Sequence, residues 1–213
     1  MALIVAIDGP AAAGKGTLAR RIAADLNLAY LDTGLLYRAT GRAVLDQGGD
    51  PQDVAQATQA AQSLQAEMLD NPALRLDETA QAASHVAAIP AVRSALLDFQ
   101  RRFAATPPKG YHGAVLDGRD IGTVVCPDAP VKLFVSASTE IRAKRRLKEL
   151  QERGVEAIYE QVLQDMIDRD ARDTERANAP LKAAVDAITL DTSELGIEQV
   201  IDQAKAIIAE KTE

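Results

Sequence analysis

Ile7-Asp8-Gly9-Pro10-Ala11-Ala12-Ala13-Gly14-Lys15-Gly16-Thr17 lies between an apolar run, Leu3 to Ile7, and a helix-forming run, Leu18 to Leu28. The order is strand, glycine-bracketed loop and helix, the context a phosphate-binding P-loop requires. Small residues let successive backbone N–H groups turn inward around an anion, and the helix N-terminus adds its partial positive charge. Lys15 then reaches the β- and γ-phosphates as a point charge. Gly9, Pro10, Ala11, Ala12, Ala13, Gly14, Lys15, Gly16 and Thr17 together are read as a cradle for a nucleoside triphosphate. In the usual motif Ser or Thr directly follows the lysine; here Gly16 intervenes before Thr17. That displaces the hydroxyl that ordinarily touches magnesium and leaves the metal largely to waters and phosphate oxygens. A Gly/Ala-rich turn without a ligand is the alternative, and the flanking elements speak against it.

Outward from this loop, short continuous apolar runs recur at Leu3–Ile7, Ala29–Leu31, Ala114–Leu116, Val131–Val135 and Ala187–Leu190. Such runs predict strands buried on both faces. Helical patterns separate them at about Lys15–Leu26, Leu35–Gln47, Thr139–Glu152, Ala157–Arg172 and Gly196–Ala209. The alternation predicts an α/β fold of three layers, a central parallel sheet flanked by helices, with ligands beyond the C-terminal strand ends. One domain is expected over 1–213, with its core at about 1–50, 113–150 and 181–213. Two excursions leave it: a helical, Ala/Gln-rich insert over about 51–112 and a short charged lid over about 151–180. Ala73–Leu76 is the insert's one weakly strand-like piece.

Three further clusters carry charge toward the same strand ends. Asp32-Thr33-Gly34-Leu35-Leu36-Tyr37-Arg38 opens a helix that Asp32 or Thr33 would cap, with Arg38 one turn inside and able to fork onto a second phosphate. Asp117 ends the third strong strand, where an acidic residue holds magnesium waters in P-loop enzymes; Arg119 and Asp120 follow it, before what reads as an apolar strand over Ile121–Val125. Ser84 and Arg93 supply a hydroxyl and a guanidinium, the type of pair that reads a base edge. Arg169, Arg172, Asp173 and Arg176 share one helix face, either a solvated paired surface or a lid whose arginines close over a transferring phosphoryl group.

Taken together, these segments resemble the bacterial cytidylate (CMP/dCMP) kinases, P-loop nucleoside monophosphate kinases. The likeness runs through Gly9–Thr17, Leu31–Arg38, Ala82–Arg93, Asp117–Ala129, Arg142–Gly154 and Arg169–Leu181. Its most specific part is Asp117-Gly118-Arg119-Asp120-Ile121-Gly122-Thr123-Val124-Val125, followed by Pro127-Asp128-Ala129-Pro130. The resemblance implies transfer of the γ-phosphate of ATP to CMP or dCMP with Mg2+, and a role for each matching residue. Lys15 is central to the ATP cradle. Arg38 and Arg119 grip the acceptor phosphate, beside Thr33. Ser84, Arg93 and Asp120 read the cytosine, Arg169 and Asp173 hold the pentose, and Arg176 joins the phosphate clamp. Lys15, Arg119, Arg169 and Arg176 are the expected catalytic set, and Asp117 the water-mediated metal residue. The insert between Gly49 and Ala82 is shorter than in better-known members, which carry a small antiparallel sheet there. UMP, dTMP or a small alcohol as acceptor, or a non-catalytic nucleotide binder on the same fold, are the competing readings.

Composition agrees with an ordinary globular enzyme. The 213 residues are 47% apolar and 26% charged, with a net charge of −7 that disfavours a general nucleic-acid binder. One cysteine, Cys126, excludes an internal disulfide, and two histidines, His85 and His112, exclude a histidine metal cluster. Cys126 reads as a small buried apolar residue and His85 as structural. With no apolar run of membrane length and no leader-like segment, a cytoplasmic monomer is expected, with its two nucleotides as partners and neither nucleic acid nor membrane among them.

Overall fold

A computed structural model describes residues 2–212. Five strands run along the chain: β1 (Leu3–Asp8), β2 (Ala29–Asp32), β3 (Gly113–Gly118), β4 (Val131–Ser136) and β5 (Ile188–Asp191). They pair in the order β2-β3-β1-β4-β5, every pair parallel. All five are the strands read from the apolar runs. The alternation of side chains then divides the core. Val5, Ile7, Val115, Leu133 and Val135 face one layer, made by α1 (Lys15–Asp25) and α8 (Ile197–Thr212), which contribute Leu18, Ile22, Val200 and Ile201. Ala6, Leu31, Ala114 and Leu116 face the other, against Ala104 and Phe103 of α5 (Pro90–Ala105).

The insert is helical, but its last helix belongs to the sheet's own covering layer. α2 (Thr33–Asp46), α3 (Val54–Gln62), α4 (Asp77–Val86) and α5 share an apolar cluster that includes Leu36, Val44, Val86, Val92 and Leu96. α2 and α4 approach closely: a Cβ on Gly41 would come within 2.9 Å of Ala82. Among the described residues no strand lies between α2 and β3, so the small sheet of better-known relatives is absent. Ala73–Leu76 does not form a strand either. Pro72–Arg75 is a 3-10 turn, opened by the Asn71 side chain accepting from Ala73 N at 2.9 Å, and proline at its first position denies a ladder hydrogen bond.

Ile121–Val125 also departs from the strand reading: it is a single π-helical turn. Asp120 O accepts from Val124 N at 2.9 Å and from Val125 N at 3.2 Å, while Ile121 and Val125 bury themselves against the α5 face. An apolar run of this length cannot be assigned by periodicity alone. Asp32 is the N-cap of α2 but makes no side-chain capping bond, and Thr33, already helical, donates instead to Asp117 O at 2.8 Å on β3.

α6 (Thr139–Glu152) and α7 (Tyr159–Glu175) form a hairpin over Ala143, Leu147, Leu150, Val162 and Met166. Arg169, Arg172 and Asp173 share the α7 face, whereas Arg176 is the residue at which the helix ends, its backbone turned extended. The hairpin is tied to the P-loop by the buried Arg142, which donates to Ala11 O at 3.3 Å, to Ala137 O at 2.9 Å and to the Asp170 carboxylate at 3.1 Å. Removing one partner of a buried pair leaves the other short of partners, and Asp170 is relieved of part of that cost because it reaches solvent. Arg142→Met is expected to lower the unfolding free energy by about 2–3 kcal/mol, measured by urea denaturation. A midpoint equal to that of the parent protein would show that the hairpin is held by its apolar contacts alone.

Candidate active site

The P-loop begins where β1 ends. Gly9 has φ +145°, and a Cβ there would sit 1.9 Å from Val135 O, so only glycine passes between the two strands at this point. Gly14, at φ +92°, turns the chain into α1 and presents Lys15 at the helix start. Lys15 is 5% exposed, and its Nζ donates to Pro10 O at 2.8 Å. Burial, reinforced by Arg119 and opposed by Asp117 and Asp8, lowers its pKa to about 7. Two carboxylates flank it. Asp117 is buried at the end of β3, its carboxyl raised above the usual range by burial, with Oδ2 3.4 Å from the place a Cβ on Gly16 would take. Tyr30 donates to the same oxygen at 3.4 Å. Asp8, its pKa pushed up to about 6 by burial, accepts from Ile121 N and from Gly122 N, each at 2.7 Å.

Next to the loop lies a narrow cavity of about 60 Å³ lined by Thr33, Arg38, Ser84, Arg93, Arg119, Asp120, Arg169, Asp173 and Arg176, together with Tyr37. Every residue expected to meet the acceptor is on this wall. They arrive from five places: the start of α2, the end of α4, the start of α5, the turn after β3 and the end of α7. Five guanidiniums therefore face two carboxylates. The carboxylates are already engaged: Arg93 pairs with Asp120, both almost fully buried, and Arg119 Nε donates to Asp173 at 2.9 Å. Burial alone would raise the Asp173 carboxyl, but Arg119, Arg169 and Arg176 outweigh it and hold it low. Two cations are left short. Among the described residues, Arg169 Nε and one terminal nitrogen of Arg176 are buried without a hydrogen-bond partner. Burial, with Arg119 beside it, lowers Arg169 to about 10. Unmatched buried donors of this kind call for an anion.

Second contacts orient the wall. Arg172 Nε donates to Ser84 Oγ at 3.1 Å and its terminal nitrogen to Gln81 at 3.2 Å, so the Ser84 hydroxyl proton is free for another acceptor. Arg38 donates to Leu74 O at 2.8 Å, and Arg93 lies 5.4 Å from the centre of the Tyr37 ring. The insert also meets the α6–α7 hairpin, through Arg153 to Arg75 O at 2.7 Å and through the Arg146–Asp77 pair.

On the other side of the P-loop, Ala13, Gly14 and Thr17 border a cleft of about 410 Å³ with Arg145, Thr192, Leu195, Ile197 and Val200. Thr192 Oγ1 donates to Ala13 O at 3.1 Å and accepts from Arg145 at 2.9 Å. Arg145, Thr192, Tyr37 and Asp8 have no site role in the sequence reading, whereas Arg172 belongs to the arginine face expected to close over a phosphoryl group and is found on Ser84 and Gln81 instead. Asp8 and Tyr37 stood inside quoted motifs, whereas Arg145 and Thr192 have no local pattern to mark them. Cys126 is buried, and burial pushes its thiol up to about 11, away from the thiolate a nucleophile needs. His85 is half-buried outside this cavity, its pKa lowered by burial and then by Arg172.

Because the free Lys15 amine is half neutral near pH 7 and a triphosphate favours its charged form, binding draws a proton onto it above that pH. Sign and window follow: ATP affinity falls as pH rises from 7 to 9, and calorimetry at pH 8 in buffers of different ionisation enthalpy is expected to record uptake approaching about one proton per ATP. Lys15→Met should abolish that uptake. Release of a proton, or none, would contradict the assignment.

Comparison with known proteins places the chain in a family. The family model described as cytidylate kinase matches residues 5–210. A cytidylate kinase from Paramagnetospirillum magneticum is 65% identical over 99% of this chain and 100% of its own length. One from Rhodospirillum rubrum is 56% identical, with 99% of each covered. Two solved structures are similar in fold alone. A shikimate kinase from Bacteroides thetaiotaomicron aligns over 99% of this chain and 98% of its own, with TM-score 0.50 and 12% identity. An uncharacterised protein from Eubacterium ventriosum reaches 0.52, at 15% identity and with 99% and 98% covered. The chain belongs to the cytidylate kinase family.

Proposed function

We propose, with membership of the cytidylate kinase family as the premise, that this chain transfers the γ-phosphoryl group of ATP to CMP or dCMP across the space between Lys15 and the arginine-lined cavity. The observation that carries the reading is the excess of buried guanidinium over carboxylate there, with Arg169 and Arg176 each holding an unpartnered nitrogen. A nucleoside monophosphate supplies the missing anion.

On this reading Gly9 to Thr17 hold the ATP phosphates and the cleft bounded by Arg145 and Thr192 takes the nucleoside. Arg38 and Arg119 bind the acceptor phosphate beside Thr33, Arg169 and Asp173 take the pentose, and Arg176 closes on the phosphates. Ser84, Arg93 and Asp120 meet the base. The attacking phosphate oxygen is already anionic at neutral pH, so no strong general base is needed. The obstacle is repulsion between two polyanions, which Lys15, Arg119, Arg169 and Arg176 offset while fixing donor and acceptor in line. Hard oxygen donors suit magnesium held through water. Asp117 stands beside Gly16, in register with Asp32 at the end of the adjacent strand, and the two carboxylates would hold its waters. When bound, the ion supplies charge neutralisation at the β- and γ-phosphates.

Base choice follows from donor and acceptor chemistry. The cytosine amino group can donate to Asp120 while its ring acceptors receive from Arg93 and the Ser84 hydroxyl. Uracil reverses the amino and ring-nitrogen positions and leaves buried groups unmatched. Among the described residues no helix is long and apolar enough to cross a membrane. The lone reduced thiol suits a cytoplasmic setting, and the cavity is complete within one chain, as a monomer requires.

Turnover measured by ADP release over CMP, dCMP, UMP and AMP tests the reading: CMP or dCMP should lead, and a preference for AMP would overturn it. Lys15→Ala is expected to lower kcat roughly a hundredfold to a thousandfold, and near-parental turnover would remove the P-loop lysine from the chemistry. Asp120→Ala and Arg93→Met are expected to shrink the preference for CMP over UMP, mainly by losing CMP activity. Unchanged discrimination in either variant would show that its side chain does not read the base.

A further inference from the structure

We propose that Asp8 is a positioning residue for the acceptor: its carboxylate holds the turn that carries Arg119 and Asp120 at a set place relative to the P-loop, and so sets where the base lies with respect to the transferred phosphoryl group. The inference deepens the function proposed above and rests on Asp120 and Arg93 meeting the base.

β1 and β3 pair through Asp8 and Gly118, and there the ladder ends. The chain beyond Gly118 carries Arg119 and Asp120 into the cavity without a strand neighbour. Its far end is held from outside by Arg101, which donates to Val124 O at 3.0 Å and to Val125 O at 3.2 Å. Its near end, next to Asp120, is held by Asp8. One carboxylate oxygen accepts from Ile121 N and the other from Gly122 N, both at 2.7 Å, with Asp8 only 4% exposed. Charge-assisted bonds to two consecutive backbone donors fix both the position and the rotation of the turn. Asp8 is also the residue before Gly9, so the phosphate cradle and the base-reading turn have one root. Proximity catalysis depends on such spacing, because small misplacements of a bound reactant are costly in rate.

A Cβ on Gly122 would press on Lys132 Cδ at 3.1 Å and stand in ordinary van der Waals contact, 3.4 Å, with Asp8 Oδ2, so the turn can be crowded without removing the carboxylate's charge. The charged groups acting on Asp8 are Asp120 and Lys15. A second role, balancing the charge of Lys15, must therefore be separated from positioning.

Two variants separate them. Asp8→Asn keeps the shape but removes the charge and turns one acceptor into a donor facing an N–H. Gly122→Ala keeps the charge and crowds the same joint from the other side. Active-site concentration is counted with a non-hydrolysable ATP analogue, and Asp120→Ala is assayed in parallel. Positioning predicts that both variants raise KM for CMP roughly tenfold and shrink the CMP-over-UMP preference, while Gly122→Ala leaves KM for ATP within about twofold of the parent. A fall in kcat confined to Asp8→Asn, with KM for CMP unchanged in both, would overturn positioning in favour of charge balance. Loss of active sites in both, with unchanged KM for CMP in the sites that remain, would make the contact merely structural and also overturn it. If Asp8→Asn fails to fold, Gly122→Ala decides alone by the same two readouts. Should Asp120→Ala keep the parental discrimination, the base-reading premise falls and this inference with it. Should Asp120→Ala lose it while both joint variants keep it, the inference alone falls.

Discussion

Buried cations without enough anions are the condition to which the rest of this molecule answers. Lys15 and the guanidiniums of Arg119 and Arg169 are packed together beyond the strand ends, where desolvation works against each charge. A folded chain tolerates this only if neighbouring carboxylates offset part of it and a ligand supplies the remainder. Asp117, Asp120 and Asp173 do the first. The remaining imbalance, visible in the unpartnered nitrogens of Arg169 and Arg176, is what a pair of phosphorylated nucleotides would neutralise. Binding and charge neutralisation are therefore one event in the proposed reaction, and repulsion between the reacting phosphates is met by groups already in place.

A parallel sheet is well suited to holding such a site. Its strands end together, so Asp8, Asp32 and Asp117 emerge side by side from β1, β2 and β3 without any loop having to bring them there. The helical excursions supply what the sheet cannot. α4 and α5 bring Ser84 and Arg93 from one side, α7 brings Arg169, Asp173 and Arg176 from the other, and Arg172 joins the two through Ser84. The cavity is narrow because its own ion pairs, Arg93–Asp120 and Arg119–Asp173, occupy the positions in which substrate groups would exchange partners. On the proposed reading, a nucleotide that enters would replace interactions within the protein by equivalent ones to itself, which would limit the cost of desolvating either partner.

Much of this was legible in the chain. The continuous apolar runs marked all five strands, because a strand buried on both faces has no polar alternation to obscure it. The glycines and small residues before Lys15 declared the loop, and the Asp117–Val125 motif carried the family likeness. Local patterns misled where a tertiary contact outcompeted them. Ile121–Val125 has the composition of a strand, yet Asp8 captures its first N–H groups and turns it into one helical loop. Thr33 has the chemistry of a cap, yet it is drawn to a carbonyl on β3. Ala73–Leu76 was too short and too close to Pro72 to pair.

By itself the sequence determined the layered architecture, the nucleotide-binding loop and the inventory of charged residues, since each depends on local composition and spacing. Only the tertiary structure decided how those charges are partnered. Which arginine is left short, which carboxylate is engaged, and that Arg145 and Thr192 border the cleft beside the P-loop all depend on distant residues being brought together, 27 and 54 positions apart in the two ion pairs and 179 apart for Thr192 and Ala13. No local period records such contacts. They exist because the strand ends, the helical insert and the α6–α7 hairpin converge on one region, and the energy of a buried charge is set by whatever stands beside it there.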